Sequence, residues 1–151
     1  KGLEELNLGV FAGQAEFRQQ DALEVVAECR ADVLYADPPY TGSTSYERQY
    51  EVLDSLLAGR ELELPTSVFN TADGLAALEQ LLVAARGRYR LVVLSFGAAA
   101  YPPDQILGVA KAVFPAARRI PLRYRWSVAN SQGSSYDAAE KEVLIVAPGE
   151  V

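Results

Sequence analysis

The chain has 151 residues, half of them apolar, with a net charge of −6, a single cysteine and neither histidine nor methionine. That is one domain's length with enough apolar material for a core, so a disordered chain is excluded. Without His, and with Cys29 alone, an intrachain disulfide is impossible, and Ser-His or Cys-His catalysis and a zinc site are argued against.

No apolar stretch is long enough to span a bilayer and the acidic, Lys-poor start is not a signal peptide, so a cytoplasmic location with no membrane partner is expected. A chain that opens at Lys1 and lacks Met reads as a segment excised from something longer. The acidic balance opposes a surface that grips nucleic acid all over, and leaves room for a local basic strip.

Taken in order, residues 1–13 alternate weakly and lead into the domain. Residues 16–20 read as a short strand, and Asp21 stands as the N-cap of a helix through Ala-Leu-Glu-Val-Val-Ala-Glu-Cys, with Glu24 in its first turn. Cys29 reads as a small buried apolar residue.

Residues 33–40, Val-Leu-Tyr-Ala-Asp-Pro-Pro-Tyr, organise the rest. A continuous apolar run ends abruptly at a breaker, which predicts a strand buried on both faces whose far end carries Asp37 and Tyr40. Pro38 and Pro39 fix φ and remove two donors, so the corner is stiff and offers mainly carbonyl oxygens. Ligands of open α/β sheets bind beyond the carboxyl ends of strands. An acceptor corner beside a flat ring suits a planar base with an exocyclic amino group: Asp37 and the Pro38 carbonyl each accept one amino proton, and Tyr40 stacks.

Asp-Pro-Pro-Tyr after an apolar strand resembles the signature of amino-group methyltransferases that use S-adenosylmethionine, most closely the adenine-specific DNA methyltransferases of the Dam type. The resemblance implies that Asp37, Pro38, Pro39 and Tyr40 form the catalytic corner. It also implies that Asp21, beside its capping role, and Asp37 flank the cofactor. Phe11-Ala12-Gly13 is not the family's Phe-x-Gly-x-Gly cofactor loop: it lies too close to Asp37, and Ala15 stands where the second glycine belongs.

Residues 41–50 are polar and read as a mobile loop; by resemblance it touches the target strand, making Tyr46 and Arg48 candidates for DNA contact. Residues 50–57 have helical periodicity stopped at Gly59. Residues 62–69 are irregular, Asn70 or Thr71 caps a helix over 73–85, and Arg86-Gly87-Arg88-Tyr89-Arg90 closes it with positive charge. Leu91-Val92-Val93-Leu94 is a second buried strand. It ends in Ser95-Phe96-Gly97 where the family has Ser-Asn or Ser-Tyr-Asn lining the target pocket.

Pro102-Pro103 opens a helix that Pro115 stops. Residues 118–126 alternate as one strand with a basic outer face, from which Arg123 and Arg125 are expected to meet DNA phosphates. A Ser-Asn-Gly loop over 127–139 and an apolar strand over 142–147 follow. This tail resembles the Dam-type C-terminus, and the resemblance covers residues 17–148.

The expected fold is therefore α/β, a Rossmann-like class I methyltransferase fold: a mainly parallel sheet with helices on both faces and an antiparallel C-terminal hairpin. It is incomplete, because residues 1–151 form a single domain matching only the C-terminal part of the catalytic domain. The implied function is methyl transfer from S-adenosylmethionine to N6 of adenine flipped out of duplex DNA, by a larger modification methylase of the kind found in restriction-modification systems. An rRNA guanine amino-group methyltransferase and a catalytically silent binding module remain as alternatives. Target sequence and any partner restriction nuclease stay open. Lacking the glycine loop and the strand that carries it, the fragment alone should bind the cofactor weakly or not at all. Its bare sheet edge should self-associate or be covered by residues 3–11.

Overall fold

The structure, a computed structural model, describes residues 15–39, 46–63, 65–97, 100–122, 125–127, 135–137 and 142–149. Its elements are α1 (Ala22–Glu28), β1 (Ala31–Ala36), α2 (Tyr46–Ala58), a 3₁₀ turn (Val68–Asn70), α3 (Gly74–Ala85), β2 (Tyr89–Gly97), α4 (Pro103–Val113), β3 (Arg118–Ile120), β4 (Arg125–Ser127), β5 (Ser135–Asp137) and β6 (Glu142–Pro148). No helix among the described residues is long and apolar enough to cross a membrane.

The fold is α/β around a mixed four-stranded sheet of order β1-β2-β6-β3. β1 and β2 run parallel, with Val33 opposite Leu91 and Tyr35 opposite Val93; β2 and β6 run antiparallel, with Leu94 opposite Ile145; and β3 joins β6 antiparallel. The expected mainly parallel sheet is thus corrected: only one of the three pairings is parallel, because β6 inserts between β2 and β3.

Burial alternates along the strands. Val92, Leu94, Phe96, Val143, Ile145 and Ala147 are buried, while Leu91, Val93, Leu144 and Val146 on the other face are half-buried. The buried face meets one helix layer, in which α1 packs on α3 and α3 on α4. Leu78 and Leu82 of α3 and Ile106 of α4 fill the space between. Helices on both faces were expected; among the described residues this layer covers one.

β1 was expected to be buried on both faces and is not. Val33 is 52% and Tyr35 62% exposed, because β1 is the sheet's edge and these two residues lie on the uncovered face. Residues 16–20 form no strand, and Phe17 is 94% exposed, so the segment buries no apolar face that would hold it on the sheet. The single strand expected over 118–126 is two, β3 on the sheet and β4 paired with β5, with Pro121 unable to continue the ladder between them. β5 itself falls inside the expected loop over 127–139. Of the arginines there, Arg119 sits half-buried opposite Ile145 and Arg118 is exposed.

Helix ends follow local chemistry. α2 starts at Tyr46, within the expected loop, and stops at Gly59, whose φ of 66° puts it in the left-handed region. There Gly59 N–H donates to the Leu56 carbonyl at 3.3 Å and Arg60 N–H to that of Ser55 at 3.2 Å. α3 is preceded by Asp73, so neither Asn70 nor Thr71 is its cap; the Thr71 hydroxyl instead donates to the Val68 carbonyl at 2.7 Å and closes the 3₁₀ turn. Pro102 caps α4 and Pro103 opens it.

Candidate active-site cleft

The corner after β1 is built by alternation. Ala36 and Pro38 are buried and Asp37 between them is exposed, so two core anchors hold the carboxylate outward at the carboxyl end of the strand. There it borders a cleft of about 730 Å³, within the usual range for small-molecule sites.

One wall of the cleft is the start of α1. Asp21 caps this helix as expected, its Oδ1 accepting from Leu23 N–H at 2.9 Å and from Glu24 N–H at 3.4 Å. The cap fixes the carboxylate at the cleft rim and commits one of its oxygens to backbone donors. Just upstream, the Arg18 guanidinium hydrogen-bonds Glu16 at 2.7 Å and holds that carboxyl below the usual glutamate value.

The opposite wall is residues 65–69, which the sequence presented only as an irregular stretch. Phe69 is buried in the core, and its turn is closed by Asn70 N–H to the Ser67 carbonyl at 2.9 Å and by Thr71 N–H to the Val68 carbonyl at 3.1 Å. Pro65, Thr66, Ser67 and Val68 are thereby presented to the cleft. The Tyr101 hydroxyl donates to the Ala72 carbonyl at 3.2 Å and ties this wall to the start of α4.

The lining is rich in acceptors. Among the described residues it contains Asp21, Asp37, Gln20, Thr66 and Ser67, and neither Lys nor Arg. Such a site favours a ligand that donates from amino or hydroxyl groups, or carries positive charge, and disfavours phosphate.

The cleft therefore brings Asp21 together with Asp37, Pro38 and Pro39. Tyr40 and Arg123 lie outside the described residues. Tyr46 opens α2 with Arg48 in its first turn, and Arg125 opens β4, where its backbone pairs with that of Asp137. Phe96, near the end of β2, is fully buried and takes no part in the cleft. No family model, curated protein or solved structure matches the chain.

Proposed function

We propose that this chain is the C-terminal part of the catalytic domain of an amino-group methyltransferase, acting on N6 of adenine in DNA with S-adenosylmethionine as methyl donor. The observation that carries the reading is the Asp37 corner: an exposed carboxylate between two buried anchors, at the carboxyl end of a parallel strand, in one cleft with Asp21. The sheet is consistent with the C-terminal half of a Rossmann-like class I methyltransferase, in which a parallel pair is followed by an antiparallel strand inserted before the edge.

The residues fit the cofactor in chemistry and size. A lining rich in acceptors and, among the described residues, without cationic side chains accommodates a sulfonium and the donors of a nucleoside, and Asp21 has a second carboxylate oxygen beyond the one its helix uses. When bound, the cofactor supplies an electrophilic methyl group on positively charged sulfur.

The chain's own residues handle the acceptor nitrogen. The adenine amino group is a poor nucleophile because its lone pair is delocalised into the ring. Asp37 and the Pro38 carbonyl each accept one amino proton, which draws the nitrogen toward tetrahedral geometry and frees the lone pair. Proline rigidity keeps both acceptors in place, so little reorganisation is needed in the transition state. Asp37 also offsets the positive charge that develops on nitrogen as the new bond forms and the carbon–sulfur bond breaks, and the methylated nitrogen then releases its extra proton to solvent. No covalent enzyme intermediate is required.

The test is Asp37→Ala in the full-length enzyme, assayed for methyl transfer to duplex DNA. Loss of this contact should lower the rate about 100-fold or more with folding unchanged. Near-normal transfer would overturn the assignment. Transfer to guanine in RNA instead of adenine in DNA would support the ribosomal alternative, and cofactor binding with no transfer to any nucleic acid the silent one.

A further inference from the structure

The cleft wall formed by residues 65–69 is fixed from two directions. Phe69 anchors it in the core, and the Tyr101 hydroxyl reaches it from the start of α4, donating to the Ala72 carbonyl at 3.2 Å. That carbonyl lies outside the helical ladder: Ala72 precedes the cap residue Asp73, whose own carbonyl accepts the first bond of α3 from Ala77 N–H at 2.9 Å. Tyr101 is itself well held. Its ring is half-buried and packs against the core, and Pro102 and Pro103 follow it, so the backbone that aims the phenol is stiff.

A displacement at Ala72 would not stop there. Gly74 N–H donates to the Thr71 carbonyl at 3.1 Å and Asp73 N–H to the Thr71 hydroxyl at 3.2 Å. Thr71 in turn donates to the Val68 carbonyl from both its amide, at 3.1 Å, and its hydroxyl, at 2.7 Å. One hydrogen-bonded run therefore joins the backbone that Tyr101 grips to Thr66, Ser67 and Val68, which line the cleft.

We infer that Tyr101 is a positioning residue for the cleft: its bond to Ala72 sets where residues 66–68 stand, across from Asp21. It acts through the backbone it holds. The inference rests on the proposed function only for the ligand, which on that reading is S-adenosylmethionine, because the wall faces the side of the cleft assigned to the cofactor. Asp37 and Pro38 belong to a different element, so the wall governs how the cofactor is held and leaves the acceptors of the amino group where they are.

Tyr101→Phe keeps the ring, removes the hydroxyl and tests this twice. In NMR spectra of the 151-residue chain, amide shifts should move at Thr66, Ser67 and Val68 as well as at Ala72, while those of β2 and β6 stay and report an intact fold. Changes confined to Ala72 and the surroundings of the ring would overturn the proposal. In the full-length enzyme, KM for S-adenosylmethionine should rise about fivefold with kcat unchanged, the size expected for one neutral hydrogen bond. A fall in kcat at unchanged KM would overturn it as well. If the parent enzyme transfers no methyl group to any nucleic acid, the proposed function fails, and the shifts of residues 66–68 alone decide whether Tyr101 places the wall.

Discussion

Asp21 is given two duties, and they separate by chemistry. Asp21→Ala removes the acceptor for Leu23 and Glu24 N–H and leaves the first turn of a seven-residue helix without a side-chain cap. That should cost about 1 kcal/mol, which in a chain of this size lowers the melting temperature by about 2–4 °C. Asp21→Asn keeps a side-chain oxygen at the same place and caps about as well, so its stability should stay within a few tenths of a kcal/mol of the parent. What Asn loses is the negative charge at the cleft rim. A charge-assisted hydrogen bond to the ligand is worth about 1.5–3 kcal/mol, so cofactor affinity in the full-length enzyme should fall about 10- to 100-fold in both variants. Thermal denaturation of the chain and titration calorimetry of the full-length enzyme measure the two effects independently. Parent-like affinity in Asp21→Asn would show that Asp21 is a cap and nothing more. Unchanged stability in Asp21→Ala would refute the cap.

Gly149→Ala should destabilise the fold by about 1–3 kcal/mol in urea titrations, because its Cβ would run into the Tyr89 carbonyl oxygen where Gly149 N–H donates to the Arg90 carbonyl. Burial, with a smaller contribution from nearby Cys29, holds the Tyr89 phenol above the usual tyrosine value. The folded state therefore resists ionising it while the unfolded chain ionises near pH 10. The stabilisation is complete below that pH and is lost as pH rises toward the raised value, and denaturation of Tyr89→Phe should show a shallower decline there. On the proposed reading, replacing Arg123 or Arg125 with Ala should weaken DNA binding by the full-length protein equally on all sequences and reduce the salt slope by about one, as filter binding across a salt series would show. An unchanged slope would assign both to a solvated face.

The central strands were legible because β2 and β6 are apolar runs long enough to leave no other reading, and Asp37 was legible because two prolines stop a strand at a carboxylate. Whether a strand is central or at the edge was not. The run Val33-Leu34-Tyr35-Ala36 looks the same with one neighbour as with two, and the identity of neighbours is a property of the whole chain. The break at Pro121 could have been read from the missing donor, but the regular alternation around it argued for one strand. The wall formed by residues 65–69 escaped notice because its order comes from Phe69 reaching the core, a long-range contact that local propensity does not encode. Asp21 was the opposite case, since a cap is decided within three residues.

The place of β6 has a consequence for synthesis. Among the described strands it is the latest in sequence and yet an interior one, with Gly97 waiting for Glu142 and Leu91 for Pro148. A chain emerging from the ribosome can form its helices early, but it cannot close the sheet until Pro148 is out. Until then the backbone groups of β2 that β6 will satisfy are exposed beside an apolar face. Pairings this distant make for slow folding, on the order of milliseconds to seconds once β6 is available. The unfinished β2 is thus the segment most in need of protection from chaperones during translation.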